Sequence, residues 1–292
     1  MEPIQRKPAW LKKRLPDPQV LAQMRSLLSD LHLHTICESG NCPNLGECWA
    51  KSTATFLILG NRCTRQCGFC NVESGRPLPI DVGEPAHIGQ AVAALGLAHV
   101  VITSVTRDDI PDGGAAHFAA TIRQIHQHSP GTTVEVLVPD FNGNPEAIAD
   151  VLAAKPTIFA HNIETVERLH VRLRPRFTYE RSLQVLDQAH RLAPTVYTKS
   201  SIMVGLGETP SDVAATMEDL YRTGCSFLTI GQYLQPSKRH TPVYEYVTPE
   251  QFEQYRTMAL NIGYRYVASG PFVRSSFDAA TALRATIQKN QS

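Results

Sequence analysis

The chain has 292 residues, 42% of them hydrophobic, and its 28 basic and 27 acidic side chains leave a formal net charge of +1. That content allows one large core or two small ones, and the near-neutral charge excludes the summed basic field of a protein built chiefly to hold nucleic acid. No run of about 18 apolar residues offers a membrane span, and the basic start "MEPIQRKPAWLKKRLPDPQV" mixes in prolines and acidic residues without an apolar stretch, so it does not read as a signal peptide.

In chain order, residues 1–53 show no strand–helix alternation; it begins at residue 54. Strands are predicted at 54–59, 99–104, 133–138, 157–162, 196–205, 225–231 and 264–269, where short apolar, β-branched runs lie between polar segments. Helices are predicted at 84–98, 113–128, 144–154, 178–193, 211–224 and 249–263, where apolar residues recur at helical spacing. Ser211 is the expected N-cap of the fifth helix, and Gly224 and Gly263 are expected helix stops. Such alternation implies a parallel sheet, and this many units curl it without reaching the eight of a full barrel. The expected fold is α/β, a partial (β/α)6-type TIM barrel over 54–263, with an N-terminal extension at 1–53 and a C-terminal extension at 264–292.

Seven cysteines make an odd number for a disulfide framework, and a cytoplasmic location, where clustered thiols serve metals more often, fits better. Three of them, Cys63, Cys67 and Cys70, follow the first strand as C-x3-C-x2-C. In barrels the strand C-termini carry the site, and further polar strand-ends follow: "TSVTRDD", "VPDF", "HNIET", "KSSIMVGLGE" and "GQYLQPSKRH". Zinc would ordinarily want a fourth protein ligand, whereas a [4Fe-4S] cluster on three thiolates leaves one iron open to another molecule. Three buried free cysteines within eight residues is the third reading. Cys37, Cys42 and Cys48 form a second triad, C-x4-C-x5-C, upstream. Elsewhere, "GLGE" at 205–208 lacks a dinucleotide fingerprint and reads as a turn. His32 and His34 read as solvated, and Cys225 as inert core. "RKPAWLKKR" reads as a solvated charged face or a contact for an acidic partner.

C-x3-C-x2-C with Phe69 before its last cysteine, after the first strand of a partial barrel, resembles the radical S-adenosylmethionine superfamily. With "CESGNCPNLGECW", "TSVTRDDIPDGGA", "VEVLVPDF", "HNIETVERL", "KSSIMVGLGE", "TIGQYLQPSKRH", "SGPFVRSSF" and "RKPAWLKKRLP", the chain is similar to the lipoyl synthase family over nearly its whole length. The resemblance implies two [4Fe-4S] clusters. Cys63, Cys67 and Cys70 would hold one, its open iron chelated by the amino and carboxylate groups of S-adenosyl-L-methionine. Cys37, Cys42 and Cys48 would hold an auxiliary cluster whose fourth ligand is Ser276, with Ser275 the second candidate. Read without the family, these serines cap a helix that opens at "FDAATALRATIQ". Phe277 departs from the family's usual tyrosine.

The family's reaction is sulfur insertion at C6 and C8 of an octanoyl-lysine. Two S-adenosylmethionine cleavages give 5′-deoxyadenosyl radicals that take unactivated hydrogens, and the auxiliary cluster gives up the sulfur. Thr103, Ser104, Arg107 and Asp108 are expected at the methionine moiety, and Glu135, Asn162, Glu164 and Lys199 at ribose, carboxylate or substrate. The implied partners are an octanoylated lipoyl carrier domain or H-protein, an electron donor such as ferredoxin or flavodoxin, and an iron–sulfur carrier protein; nucleic acid and membrane are not among them. Two alternatives stand beside this: another sulfur-inserting radical enzyme, such as a methylthiotransferase, though no basic, aromatic-rich RNA-binding tail is visible, or a non-catalytic zinc-binding interaction module.

Overall fold

The computed structural model describes residues 6–13, 17–50 and 55–276. The predicted helix beyond 276 and the Phe277 departure lie outside these residues. Ahead of the first main strand come α1 (Pro18–Asp30), β1 (His34–Thr35), α2 (Ile36–Ser39) and α3 (Leu45–Ala50). Asp17 caps α1 by accepting from the Gln19 N–H at 2.8 Å. β2 (Thr55–Ile58) leads into β3 (Arg62–Cys63) and β4 (Glu73–Ser74), a two-residue parallel ladder that brackets the downstream cysteines. The alternation then runs α4 (Glu84–Ala94), β5 (His99–Ser104), α5 (Ala115–His128), β6 (Thr133–Leu137), α6 (Pro145–Ala153) and β7 (Ile158–Ala160). It continues with α7 (Glu167–Leu173), α8 (Tyr179–Leu192), β8 (Tyr197–Val204), α9 (Pro210–Arg222), β9 (Phe227–Gln232), α10 (Pro249–Ile262) and β10 (Tyr266–Gly270).

The main sheet has the order β1-β2-β5-β6-β7-β8-β9-β10. Every pairing from β2 to β10 is parallel, and β1 alone runs antiparallel, pairing His34 with Leu57 and Thr35 with Phe56. This is the partial barrel expected: six β/α units closing on a further parallel strand. The segment from 264, placed in the C-terminal extension, enters the sheet as β10 before the chain turns onto the top face. The strands read as continuous apolar runs because helices cover one face and the barrel core the other. Phe56, Ile58, Ile102, Val136, Phe159 and Leu228 are wholly buried, each contributing about 1.5–3 kcal/mol. Among the described residues no helix is long and apolar enough to cross a membrane.

Gly224 and Gly263 do stop their helices, with φ of 81° and 121° in the region that glycine tolerates. Ser211 is not the cap of α9. Thr209 is, with Pro210 in the first turn and Asp212 closing a capping box, because proline needs no N–H partner there and pushes the boundary back two residues. The helix predicted from 113 starts at Ala115, since Gly113 and Gly114 are left-handed (φ 62° and 94°). The turn reading of "GLGE" holds: Gly205 and Gly207 have φ of 95° and 104°, and the Glu208 carboxylate accepts the Gly205 and Leu206 N–H groups.

Candidate active site

The downstream cysteine loop leaves β2 through a left-handed pair, Leu59 (φ 66°) and Gly60 (φ 87°). Leu59 is held in that costly conformation from both sides. Its N–H donates to the buried Glu84 carboxylate at 2.8 Å, and its carbonyl accepts from Arg107 at 3.1 Å. Cys63 Sγ then accepts two backbone N–H groups, from Arg65 and Thr106, each at 3.4 Å. Gly68 donates to Leu173 O at 2.9 Å and accepts from the Thr241 N–H at 2.8 Å. A side chain there would meet Thr241 Oγ1 at 2.7 Å, so the hydroxyl would have to turn away to admit one. His240 Nε2–H donates to Cys70 O at 3.0 Å. The loop is thus stapled to α7 and to the connection after β9.

Arg65, between the first two cysteines, is the loop's main anchor. Its buried guanidinium pairs with Asp108 at 2.7 Å and Asp140 at 2.9 Å and donates to Asn142 Oδ1 at 2.7 Å. It also lies 4.1 Å from the Phe177 ring, which takes the Arg174 guanidinium at 3.8 Å as well. Hydrogen bonding to Arg65 holds Asp108 down at about 2. Burial pushes Cys67 up to about 11 and Cys70 up to about 12, and the Arg174 guanidinium beside Cys67 opposes the shift there. Buried thiols of this kind are inert nucleophiles until a metal displaces the proton.

In the upstream triad, Cys37 lies on α2, Cys42 in the loop after it and Cys48 on α3. The Cys42 N–H donates to Cys37 O at 3.0 Å, and burial pushes Cys37 up to about 12. Asn71, one residue past Cys70, donates to Ser39 O at 2.9 Å and so ties the two cysteine loops together. Both triads line a single cavity of about 590 Å³, and Ser275 and Ser276 line it too. That volume lies in the range of small-molecule sites.

Of the expected cofactor contacts, Thr103, Ser104, Asn162 and Glu164 are on the cavity wall, whereas Arg107, Asp108, Glu135 and Lys199 are not. Arg107 and Asp108 face the cysteine loop instead, through Leu59, Thr64 and Arg65. Lys199 and Glu135 satisfy each other: Nζ stands 2.8 and 3.0 Å from the two carboxylate oxygens, and both side chains are at most 2% exposed. Lys199→Ala is expected to cost about 3–5 kcal/mol by stranding a buried carboxylate, while Lys199→Met with Glu135→Leu is expected to be near neutral. Denaturant unfolding of both variants checks this. A ligand-binding role would instead weaken S-adenosylmethionine binding in a protein of unchanged stability.

Among the described residues, three buried polar atoms of the cavity wall have no partner: Ser104 Oγ, His161 Nε2 and Arg174 Nε. Burial pulls His161 down to about 4, so its ring is neutral at pH 7. Its Nδ1 lies 2.9 Å from Val138 O, which only an Nδ1–H can satisfy, leaving Nε2 as a bare acceptor. Glu164, left-handed at φ 69°, accepts from Asn162 Nδ2 at 3.0 Å, and burial raises its pKa. Orphaned donors and acceptors of this kind suit a polar ligand with several hydrogen-bonding groups. Among the described residues, no three His, Cys, Asp or Glu side chains converge as they would on a single metal ion. What suits an iron–sulfur cluster in each triad is its donor set, three thiols and no imidazole.

The comparisons with known proteins agree with that chemistry. The family model of the Radical SAM superfamily matches residues 57–220. The lipoyl synthase of Caldanaerobacter subterraneus subsp. tengcongensis is 54% identical over 278 residues, 95% of this chain and 97% of the relative. That of Trichlorobacter lovleyi is 55% identical over 95% of this chain and 98% of the relative. The chain belongs to the lipoyl synthase family. Membership implies a [4Fe-4S] cluster and S-adenosylmethionine at this site and makes the protein a radical SAM enzyme, which sets aside the zinc-binding module. Methylornithine synthase, a solved structure with a TM-score of 0.56 and 12% identity over 81% of this chain and 80% of that one, shares the fold. Within this lipoyl synthase family member, the residues that sequence reasoning missed are Arg65, Asp140, His161, Arg174 and Phe177. Their only signal was an arginine inside the cysteine motif and charged residues near strand-ends, which carry no periodicity.

Proposed function

We propose that the chain inserts two sulfur atoms, at C6 and C8 of an octanoyl group carried on a lysine of a lipoyl carrier domain or H-protein, with two molecules of S-adenosylmethionine consumed. The observation that carries this reading is the single cavity lined by both cysteine triads and by Ser275 and Ser276. When bound, the cluster on Cys63, Cys67 and Cys70 supplies the electron that cleaves S-adenosylmethionine, and a second cluster on Cys37, Cys42, Cys48 and Ser276 supplies sulfur. The chain's part is to position and enclose. An octanoyl C–H is too weakly acidic for any side-chain base, so no general base is needed. Phe69, Leu137, Val138, Met203, Tyr233 and Leu234 give the cavity apolar wall for an aliphatic chain, and excluding water there protects a radical from side reactions. Ser104, His161 and Arg174 present the unpartnered polar atoms. An external reductant, ferredoxin or flavodoxin in chemical type, and an iron–sulfur carrier protein complete the cycle.

The test is anaerobic turnover of an octanoyl-lysyl peptide, following 5′-deoxyadenosine and peptide mass together. About two 5′-deoxyadenosines per doubly thiolated peptide are expected; cleavage with no sulfur gained would sink the proposal. Ser276→Cys should keep the second cluster yet lower sulfur insertion, because a thiolate matches iron–sulfide better and releases iron less readily than a serine oxygen. A capping role would make Ser276→Cys and Ser276→Ala each cost about 1 kcal/mol and spare the chemistry. Cluster content, thermal stability and yields of singly and doubly thiolated peptide separate the two. Full activity of Ser276→Ala with an intact cluster moves the assignment to Ser275.

A further inference from the structure

The segment that bears the two serines is fastened to the upstream cysteine loop through one side chain. Asn44, two residues past Cys42, is 2% exposed, and its Nδ2 donates to Phe272 O at 2.7 Å across 228 positions of chain. Its Oδ1 accepts from Lys13 Nζ at 2.5 Å. The same ammonium donates to Glu47 Oε2 at 2.8 Å and lies 4.7 Å from the centroid of the Phe272 ring. The N-terminal segment, the cysteine loop and the C-terminal segment therefore meet at Asn44. From Phe272 the chain reaches Ser275 in three residues and Ser276 in four.

On its other side the serine segment crosses the top of β9 at backbone contact. A Cβ on Gly231 would stand 2.1 Å from Val273 O, so only glycine lets the strands' end and this segment come together. A turn closed by the Val273 N–H on Gly270 O at 3.0 Å sets the direction. The cysteines themselves do not depend on this joint: Cys37 and Cys42 are linked by a backbone hydrogen bond, and Cys48 is held in α3 by its N–H on Asn44 O at 2.9 Å, a main-chain contact that any residue at 44 supplies.

We propose that Asn44 and Lys13 are positioning residues for the serine ligand, fixing Phe272 so that Ser276 stands at the open corner of the upstream triad. The proposal rests on the reading that Ser276 is the fourth ligand of the second cluster. The physical reason is that a serine oxygen is a poor match for iron and binds only when it is already in place. Its effective concentration at that corner is then set by how tightly the segment is held. Asn44 supplies the donor that holds Phe272 O, and Lys13 orients Asn44 by occupying its carbonyl oxygen and covers the Phe272 ring with its charge.

The experiment measures iron release from anaerobically reconstituted protein to a chelator. The surviving cluster is identified by the electron paramagnetic resonance signal of the reduced protein with and without S-adenosylmethionine, which perturbs only the cluster that binds it. Asn44→Ala and Asn44→Asp are each expected to speed iron loss from the upstream triad about tenfold, the effect of one lost buried hydrogen bond. The downstream triad should be untouched. Asp keeps the shape and an acceptor for Lys13, and sets a carboxylate oxygen against Phe272 O where the N–H had been, so it decides the matter if the alanine variant misfolds. Lys13→Ala should give about threefold and Lys13→Arg the parent rate. The double variant Asn44→Ala with Ser276→Ala should lose iron no faster than Ser276→Ala alone. A full further tenfold in that background would show that Asn44 secures the cysteine loop itself and would overturn the proposal. Ser276→Ala at the parent rate would overturn the ligand reading instead, and the proposal with it.

Discussion

Replacing Cys63, Cys67 and Cys70 together with alanine is expected to remove about half of the iron and sulfide from anaerobically reconstituted protein, from about eight of each to about four. Reductive cleavage of S-adenosylmethionine should be abolished altogether. The first effect follows from two cradles of three thiols, each suited to one four-iron cluster. The second follows from the position of this triad, on the loop that leaves the first strand of the parallel sheet and beside the cavity wall with three orphaned polar atoms. The variant should remain folded, because the loop's main anchors are independent of the thiols and only the Arg65 and Thr106 N–H groups lose Cys63 Sγ. Arg65 still has Asp108 and Asp140, Gly68 still pairs with Leu173 and Thr241, and His240 still holds the carbonyl of residue 70. Iron and sulfide assays with a 5′-deoxyadenosine time course check both points. A triple variant that kept all its iron would rule out two separate clusters.

Replacing Cys37, Cys42 and Cys48 should divide the reaction differently. S-adenosylmethionine cleavage should survive, and thiolated peptide should fall below detection. Under the proposed function the open iron belongs to the other triad, so radical generation would not need the upstream thiols, whereas the sulfur would come from the cluster they hold; Cys225 is no substitute, being 1% exposed with its thiol pushed up by burial to about 12. Metal binding and folding are linked, so circular dichroism must accompany the assay. Asn71 bridges the two loops through Ser39 O, and a modest fall in cleavage rate through that contact is expected. Doubly thiolated peptide at the parent's yield would sink the idea that this triad provides the sulfur.

The barrel was legible because its physics is local. Strands buried on both faces are short apolar runs, and each helix between them carries its own start and stop, as Gly224 and Gly263 do. The cysteine triads were legible for the same reason, since each set of thiols lies within a dozen residues. What failed was register. "VYTKSSIMVG" is a strand, but Lys199 is the third residue of β8 and Glu135 the third of β6. Both therefore point into the barrel below its mouth and find each other, while Ser104, the last residue of β5, reaches the cavity. Arg107 and Asp108 look like ligand contacts by type and position, yet the loop they grip returns to them from some 45 residues earlier. β1, with two residues, and α7, with seven, are too short for periodicity to mark. The link from Asn44 to Phe272 spans 228 positions and leaves no trace in the pattern of either segment.

The antiparallel ladder of β1 on β2 comprises only two residue pairs, and α2, which bears Cys37, begins at the very next residue. The upstream thiols thus hang from the edge of the sheet rather than from its interior. Undoing two edge pairs is a local opening, far smaller than the cooperative loss of the parallel strands behind them. What fastens this segment is side-chain packing and cross-links more than the ladder: Met24, Leu28, Leu33 and Trp49 are buried in the main core, and Asn71 and Asn44 tie it at Ser39 O and Phe272 O. Were the proposed upstream cluster spent in turnover, refilling it would disturb the rim of the sheet and spare its parallel interior.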